Sequence, residues 1–180
     1  MEVQDTAIEG LKIIKPRVFP DGRGHFFESW SKRKFEDAGL HLDFVQDNQS
    51  LSEKGVLRGL HFQEPPFAQG KLVRVINGKA LDVAVDIRKD SPTYGQHVKV
   101  VLSEEEANQF WVPPGFAHGF LTLEDNTIFA YKCTNFYNKE SENGLMWNDP
   151  DLGIDWGIET AQLSDKDKIY KPFREFESLF

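Results

Sequence analysis

Short runs of β-branched and aromatic residues recur along the whole chain, each ended by Gly, Pro, Asn or Asp, and this punctuation favours strands over helices. "LKIIKPRVF", "GHFFESW", "KLVRVINGKALDVAVDIR", "HVKVVL", "FWVPP", "HGFLTLED" and "NTIFAYKCTNFY" all have this character. Helix signals are confined to "SKRKFEDAG" after Ser31, "SEEEANQF" after the cap-like Ser103, and a short turn at "SDKDKIY". Many short strands with few short helices predict an all-β chain, an antiparallel barrel or sandwich of jelly-roll type. Asn77-Gly78 predicts a two-residue hairpin, because both central residues of a type I′ turn need positive φ. In "ALDVAVD", Asp82, Ala84 and Asp86 alternate with Val83, Val85 and Ile87, which predicts a strand with one wet or polar face. With no internal repeat, low-complexity tract or linker, residues 1–180 are expected to form a single domain.

Charge and composition then limit the partners. A net charge of −8 argues against a nucleic-acid polymer, since a DNA or RNA groove rewards a basic face. A local basic pocket can still hold a small anion. No apolar run approaches the ~20 residues a membrane helix needs, and the N-terminus lacks a signal-peptide pattern, so no membrane partner is expected. Cys133 is the one cysteine and cannot form an intrachain disulfide, which fits a cytoplasmic location. It sits mid-strand in "FAYKCTNFY", where a buried, inert thiol is expected.

The stretch "VLRGLHFQEPPFAQGKLVRV", Val56 to Val75, sets His61 between Arg58 and Lys71 in an otherwise apolar setting. A lone histidine is most often a satisfied core or surface residue. Here the flanking cations make a metal ligand or a base worth weighing. Simple alternation places His61 with Gln63 on one face and Arg58 on the other, unless Gly59 carries a bulge.

The metal case rests on "PPGFAHGF", which resembles the second histidine motif of the cupin family, with His118 as the candidate ligand. The first cupin motif is H-x-H followed by glutamate, where this chain has His61-Phe62-Gln63. Phenylalanine cannot ligate a metal, and Glu64 with His118 is too small a set, so no metal is expected in a cupin-like barrel. Without a metal, the same residues suit proton chemistry beside a ketone. His61 has the intrinsic pKa of a base, and a carboxylate on its second nitrogen would fix its tautomer. Lys71 or His118 could hold the developing oxyanion, and Tyr131 on another strand could return a proton.

The blocks "DGRGHFFESW", "QDNQS", "GVLRGLHFQEPPFAQGKLVRV", "DVAVDIRKDSPTYG", "FWVPPGFAHGFL", "YKCTNFYNKESENGLMWNDP" and "LSDKD" together resemble the dTDP-4-dehydrorhamnose 3,5-epimerase family. They run in family order from about Pro20 to Asp167. The resemblance implies a cofactor-free jelly roll, usually a homodimer exchanging N-terminal strands, that inverts C3 and C5 of dTDP-4-dehydro-6-deoxy-D-glucose. It implies His61 as base paired with Asp167, Tyr131 as acid, and Lys71 beside the C4 oxygen with His118 in the same sugar site. Arg23, Glu28, Gln46, Asp47, Asn48, Arg58, Glu142 and Lys166 fall where the family binds nucleotide, diphosphate or sugar, and Tyr137 where a ring would stack on thymine. Arg58 and Arg23 suit a diphosphate because guanidinium is planar, permanently charged and bidentate. For Arg23 and Glu142 the plain alternative is a loop charge, for Lys166 a solvated one, and for Asp167 a helix N-terminal carboxylate.

Asn143, where the family often has arginine, and Ala80, where bulkier residues are common, are departures away from the implied proton carriers. Rival activities are epimerisation at only C3 or C5, a metal-dependent cupin dioxygenase or isomerase, and a non-catalytic sugar-nucleotide binding module.

Overall fold

A computed structural model describes residues 1–180. The strands are β1 (Glu2–Asp5), β2 (Lys12–Lys15), β3 (Val18–Asp21), β4 (Gly24–Phe27), β5 (Gln46–Ser52), β6 (Leu57–Gln63) and β7 (Lys71–Asn77). They continue with β8 (Lys79–Asp86), β9 (His97–Ser103), β10 (Gln109–Val112), β11 (Phe116–Thr122), β12 (Thr127–Cys133) and β13 (Glu142–Gly144). One sheet has the order β1-β2-β10-β7-β12-β5 and a second β13-β6-β11-β8-β9, every pairing antiparallel. Consecutive strands mostly lie in different sheets, so the chain winds around a barrel as a jelly roll.

Asn77-Gly78 does not close a hairpin. β7 pairs with β10 and β12, whereas β8 pairs with β11 and β9, so the chain changes sheets at Gly78. Gly78 has φ +82°, and a Cβ there would lie 2.7 Å from Thr127 Oγ1. The glycine therefore serves a corner rather than a two-residue turn. The alternation on either side is satisfied equally well by non-local partners, which is why local sequence predicts the wrong pairing.

Side chains divide among three apolar layers. Between the sheets, Val73, Val75, Phe110 and Phe129 meet Ala80, Ala84, Leu102 and Phe120. Ala80 is fully buried there. Outside the five-stranded sheet, Leu57, Leu60, Phe62, Val83, Val85 and Ile87 are covered by Leu145, Trp147, Leu152 and Trp156 of the C-terminal segment. Outside the six-stranded sheet, Ile14, Leu72 and Trp111 pack on Phe35 of α1 (Lys32–Asp37) and Leu42.

β8 thus inverts the usual arrangement. Its polar face is not wet: Asp82 and Asp86 are both buried, and Ala84 between them faces the interior. Asp86 accepts hydrogen bonds from Arg88 (2.8 and 2.7 Å), Ser91 (2.6 Å) and Thr93 (2.6 Å). Burial alone would raise its pKa, but these donors hold it at about 2.

The expected helix in "SEEEANQF" is absent. The Ser103 carbonyl and hydroxyl accept the amides of Ala107 and Glu106, both at 3.1 Å, and Ala107 then turns left-handed with φ 50°. β10 must begin at Gln109, so the connection admits one turn and no more. Cys133 ends β12 rather than lying in its middle, and it is buried.

Candidate active site

The site is created by an irregularity in β6. On β11 two steps, His118 to Phe120, oppose three steps on β6, Arg58 to His61. The extra residue is a β-bulge, and it brings Arg58 and His61 to one side. Gly59 makes the bulge possible: its φ is +138°, and a Cβ would lie 2.5 Å from Gly119 Cα. Leu60 and Phe62 consequently face outward into the covered apolar layer.

Arg58 and His61 line a cavity of about 260 Å³ between the two sheets. From the five-stranded side come His61, His118 and Glu142; Lys71 and Tyr131 stand on the opposite sheet, on β7 and β12. Lys166 and Asp167 reach in from a turn after Ser164. Asp167 is on this turn, not at the start of a helix.

His61 Nε2 lies 2.5 Å from Asp167 Oδ1. With the proton on Nε2 donated to the carboxylate, Nδ1 keeps the free lone pair, the form a base requires. Burial lowers the His61 pKa below 6.5, opposed by the hydrogen bond and charge of Asp167 and aided by Lys71 and Lys166. The Asp167 carboxyl is raised by burial, but the His61 contact, Ser164 and Lys166 outweigh that and keep it low, so it is ionised. Across the cavity, burial raises the Tyr131 pKa above 10, leaving a protonated phenol able to act as an acid. Burial lowers the Lys71 pKa from 10.5, against the pull of Cys133, Asp82 and Glu142. Lys71 Nζ is 5.9 Å from the Tyr131 ring centre.

Two acids act on the cavity, Glu142 in its wall and Asp82 buried behind His118. Glu142 receives Lys166 Nζ at 2.5 Å and the Tyr137 hydroxyl at 3.0 Å, while the Tyr137 amide donates to Gln46 at 2.9 Å. Gln46 donates in turn to Asn48 at 3.1 Å; neither lines the cavity, and the exposed Tyr137 is joined to it through Glu142. Asp82, which sequence reasoning left unassigned, holds His118 Nε2 with both oxygens at 2.9 Å. Its signal was a carboxylate alternating with alanine in a strand. Ser50 and Ser164 also line the cavity and were not singled out.

Other expected residues lie elsewhere. Asp47 alternates to the outer face, where it is bonded to Lys132 at 2.6 Å. Arg23 is 91% exposed and paired with Asp21, and Glu28 is paired with Lys34 at 2.8 Å. Both belong to the β3–β4 hairpin region, a two-stranded sheet joined to neither larger one. Phe62 faces the outer apolar layer and is not the residue that bears on a metal. Strand alternation puts Gln63, not Phe62, on the face of His61, and the Gln63 amide is spent on Phe67 O (2.7 Å), Phe136 O (3.1 Å) and Asn138 N (2.8 Å). Glu64 accepts from Asn143 at 2.9 Å. No group of three His, Cys, Asp or Glu side chains is arranged to hold a metal ion.

The family model described as dTDP-4-dehydrorhamnose 3,5-epimerase matches residues 5–175. The chain belongs to this epimerase family. The 3,5-epimerase of Methanothermobacter thermautotrophicus is 52% identical over 174 residues, covering 94% of this chain and 93% of the relative. That of Shigella flexneri is 53% identical over 168 residues, 93% of each chain. Among solved structures, the dTDP-6-deoxy-D-glucose-3,5-epimerase of Legionella pneumophila, in complex with dTDP-4-keto-L-rhamnose, superposes with a TM-score of 0.94. It is 50% identical and covers 98% of this chain and 94% of its own. An epimerase needs a base and an acid on opposite sides of one carbon, and the two facing sheets carry a candidate for each. No helix of this epimerase is long and apolar enough to cross a membrane.

Proposed function

We propose that this epimerase inverts C3 and C5 of dTDP-4-dehydro-6-deoxy-D-glucose to give dTDP-4-dehydro-L-rhamnose, by metal-free proton transfer beside the C4 ketone. The observation that carries the reading is the His61–Asp167 pair, 2.5 Å apart and facing Tyr131 across one cavity. His61 Nδ1 takes the α-proton as the C–H bond breaks, and the electron pair moves to the C4 oxygen. Lys71, held in the cavity wall, stabilises that enolate. Tyr131 then gives its phenolic proton to the opposite face of the same carbon, and the cycle repeats at the second carbon. Between rounds His61 loses a proton and Tyr131 regains one, so solvent hydrogen enters the product.

Arg58 and Lys166 suit the diphosphate, and Tyr137, with Gln46 and Asn48 beneath it, suits the base and sugar of the nucleotide. Phe19 and Phe26, exposed at 48% and 69% on a hairpin bound to neither large sheet, support a homodimer in which Arg23 and Glu28 serve a partner's cavity. The proposed location is the cytoplasm, supported by the lone, unpaired Cys133.

The test is proton NMR of the 4-keto sugar nucleotide with enzyme in heavy water, following positions 3 and 5 and the product stereochemistry. Deuterium at both carbons with double inversion supports the proposal. Exchange at one carbon alone gives a mono-epimerase, and dTDP binding with no exchange gives a binding module. In the same assay, Tyr131→Phe should still exchange substrate hydrogens yet fall on the order of 100-fold in inverted product. Unchanged product formation would remove Tyr131 from the mechanism.

The pH profile provides an independent check. His61 acts as a base only when neutral, and burial depresses its pKa, so kcat/KM should hold as pH falls past 6.5 and decline only below it. An acid limb centred above 6.5 would contradict a buried, neutral His61.

A further inference from the structure

Tyr170 stands outside every residue assigned above, yet it packs directly on the base. Its ring centre is 5.7 Å from that of His61, with the planes at 66°, an edge-to-face contact. Its place is made by Gly144, which pairs with His61 across β13 and β6. A Cβ on Gly144 would lie 2.6 Å from Cε2 and Cζ of Tyr170 and also 2.6 Å from the Leu60 carbonyl oxygen, so the ring and the paired strand together exclude a side chain there. The missing methyl and the aromatic ring thus fit one another. The Tyr170 hydroxyl is buried without a hydrogen-bond partner, so the ring's packing, not the hydroxyl, accounts for its position.

Tyr170 also shares the turn that delivers Asp167. The Ile169 amide closes on Lys166 O at 3.3 Å, and Lys171 O receives the Met146 amide at 3.0 Å, fastening the segment beside β13. One short segment therefore carries both the carboxylate that bonds His61 and the ring that packs against it.

We propose that Tyr170 is a positioning residue: its ring fixes the His61 imidazole against Asp167 and shields that pair from water. The inference rests on His61 being the base. The titrating and charged groups around that imidazole are Arg58 from β6 itself, Asp167 and Lys166 from the turn, Lys71 from β7, His118 from β11, Tyr131 from β12 and Glu142 from β13. Asp167 and Lys166, on the same segment, keep their own bonds to His61 and Glu142. Removal of the ring thus leaves these charges in place and admits water beside an imidazole free to rock about its bond to Asp167. Hydration eases the burial that depresses the His61 pKa.

The experiment compares Tyr170→Ala and Tyr170→Phe in the full chain, with two readouts. The first is the NMR titration of the His61 ring in the absence of substrate; the second is kcat and KM for epimerisation across pH. Tyr170→Ala should raise the His61 titration midpoint toward 6.5 and move the acid limb of kcat/KM with it. Its kcat should fall on the order of tenfold with KM little changed, since misplacing a catalytic group by an ångström can cost about 100-fold. Tyr170→Phe should match the parent in both readouts. An unmoved titration in folded Tyr170→Ala, or a Tyr170→Phe loss as large as that of alanine, overturns the proposal. Should Tyr170→Ala not fold, Tyr170→Leu, which keeps bulk but not the ring, is read by the same two criteria. Because the titration needs no turnover, failure of this inference is distinguishable from failure of His61 as the base, which appears as unimpaired exchange in His61→Ala.

Discussion

His61→Ala is expected to abolish hydrogen exchange at both C3 and C5 while leaving dTDP affinity nearly intact. One base serves both carbons in the proposed mechanism, so a single substitution should stop both rounds, with rate losses on the order of 100- to 10,000-fold. The affinity should persist because Arg58, Tyr137, Glu142 and Lys166 are held by contacts that do not pass through His61: Arg58 by Ser52 at 3.1 Å, and Lys166 by Glu142 at 2.5 Å. The substitution strands Asp167, only 3% exposed, without its partner. An uncompensated buried acceptor costs roughly 1–3 kcal/mol, and an ionised one such as the Asp167 carboxylate more, so the melting temperature should fall by several degrees while the protein remains folded. Substantial residual exchange in heavy water would rule out His61 as sole base, and a matching loss of dTDP binding would mean that the cavity itself had collapsed.

Gly59→Ala should damage stability and activity together. The added Cβ meets Gly119 Cα at 2.5 Å and His118 O at 3.0 Å, both backbone atoms that cannot swing aside, and φ of +138° is unsuited to alanine. Backbone strain and overpacking each cost about 1–3 kcal/mol. A combined loss near 3 kcal/mol corresponds to a melting temperature lower by roughly 6–12 °C in a chain of this size. Activity should fall further than stability, because relief of the clash undoes the bulge that turns Arg58 and His61 to the same side. Thermal melts and kcat/KM measured below the melting range separate the two effects. A variant of parental stability and rate would show that the bulge is not what sets the site.

How far the sequence could be read differs from one segment to another. The strand runs are local patterns because alternation acts over a few residues, whereas α1 forms without a side-chain cap from Ser31 and is held by burial of Phe35. "SEEEANQF" misled because its residues favour a helix, while the strands on either side leave space for one turn. Asn77-Gly78 misled for a related reason: the glycine is needed, but for a corner between sheets, and no local feature distinguishes that from a hairpin. The family blocks pointed to His61, Lys71, His118, Tyr131, Glu142, Lys166 and Asp167, and all of them line one cavity. Asp82 and Tyr170 went unassigned, since a buried carboxylate and a packed tyrosine announce themselves only through their neighbours.

By itself, the amino-acid order determined the strand-rich class, the polar face of β8 and the residue types capable of proton transfer, because each depends on periodicity or intrinsic chemistry. The tertiary structure alone decided that the polar face of β8 points inward, that Gly59 inserts a bulge, and that Asp167 reaches His61 from a turn 106 residues away. Those facts depend on which strands pair and what covers each sheet face. The histidine in "VLRGLHFQ" becomes a candidate base through contacts made by distant parts of the chain.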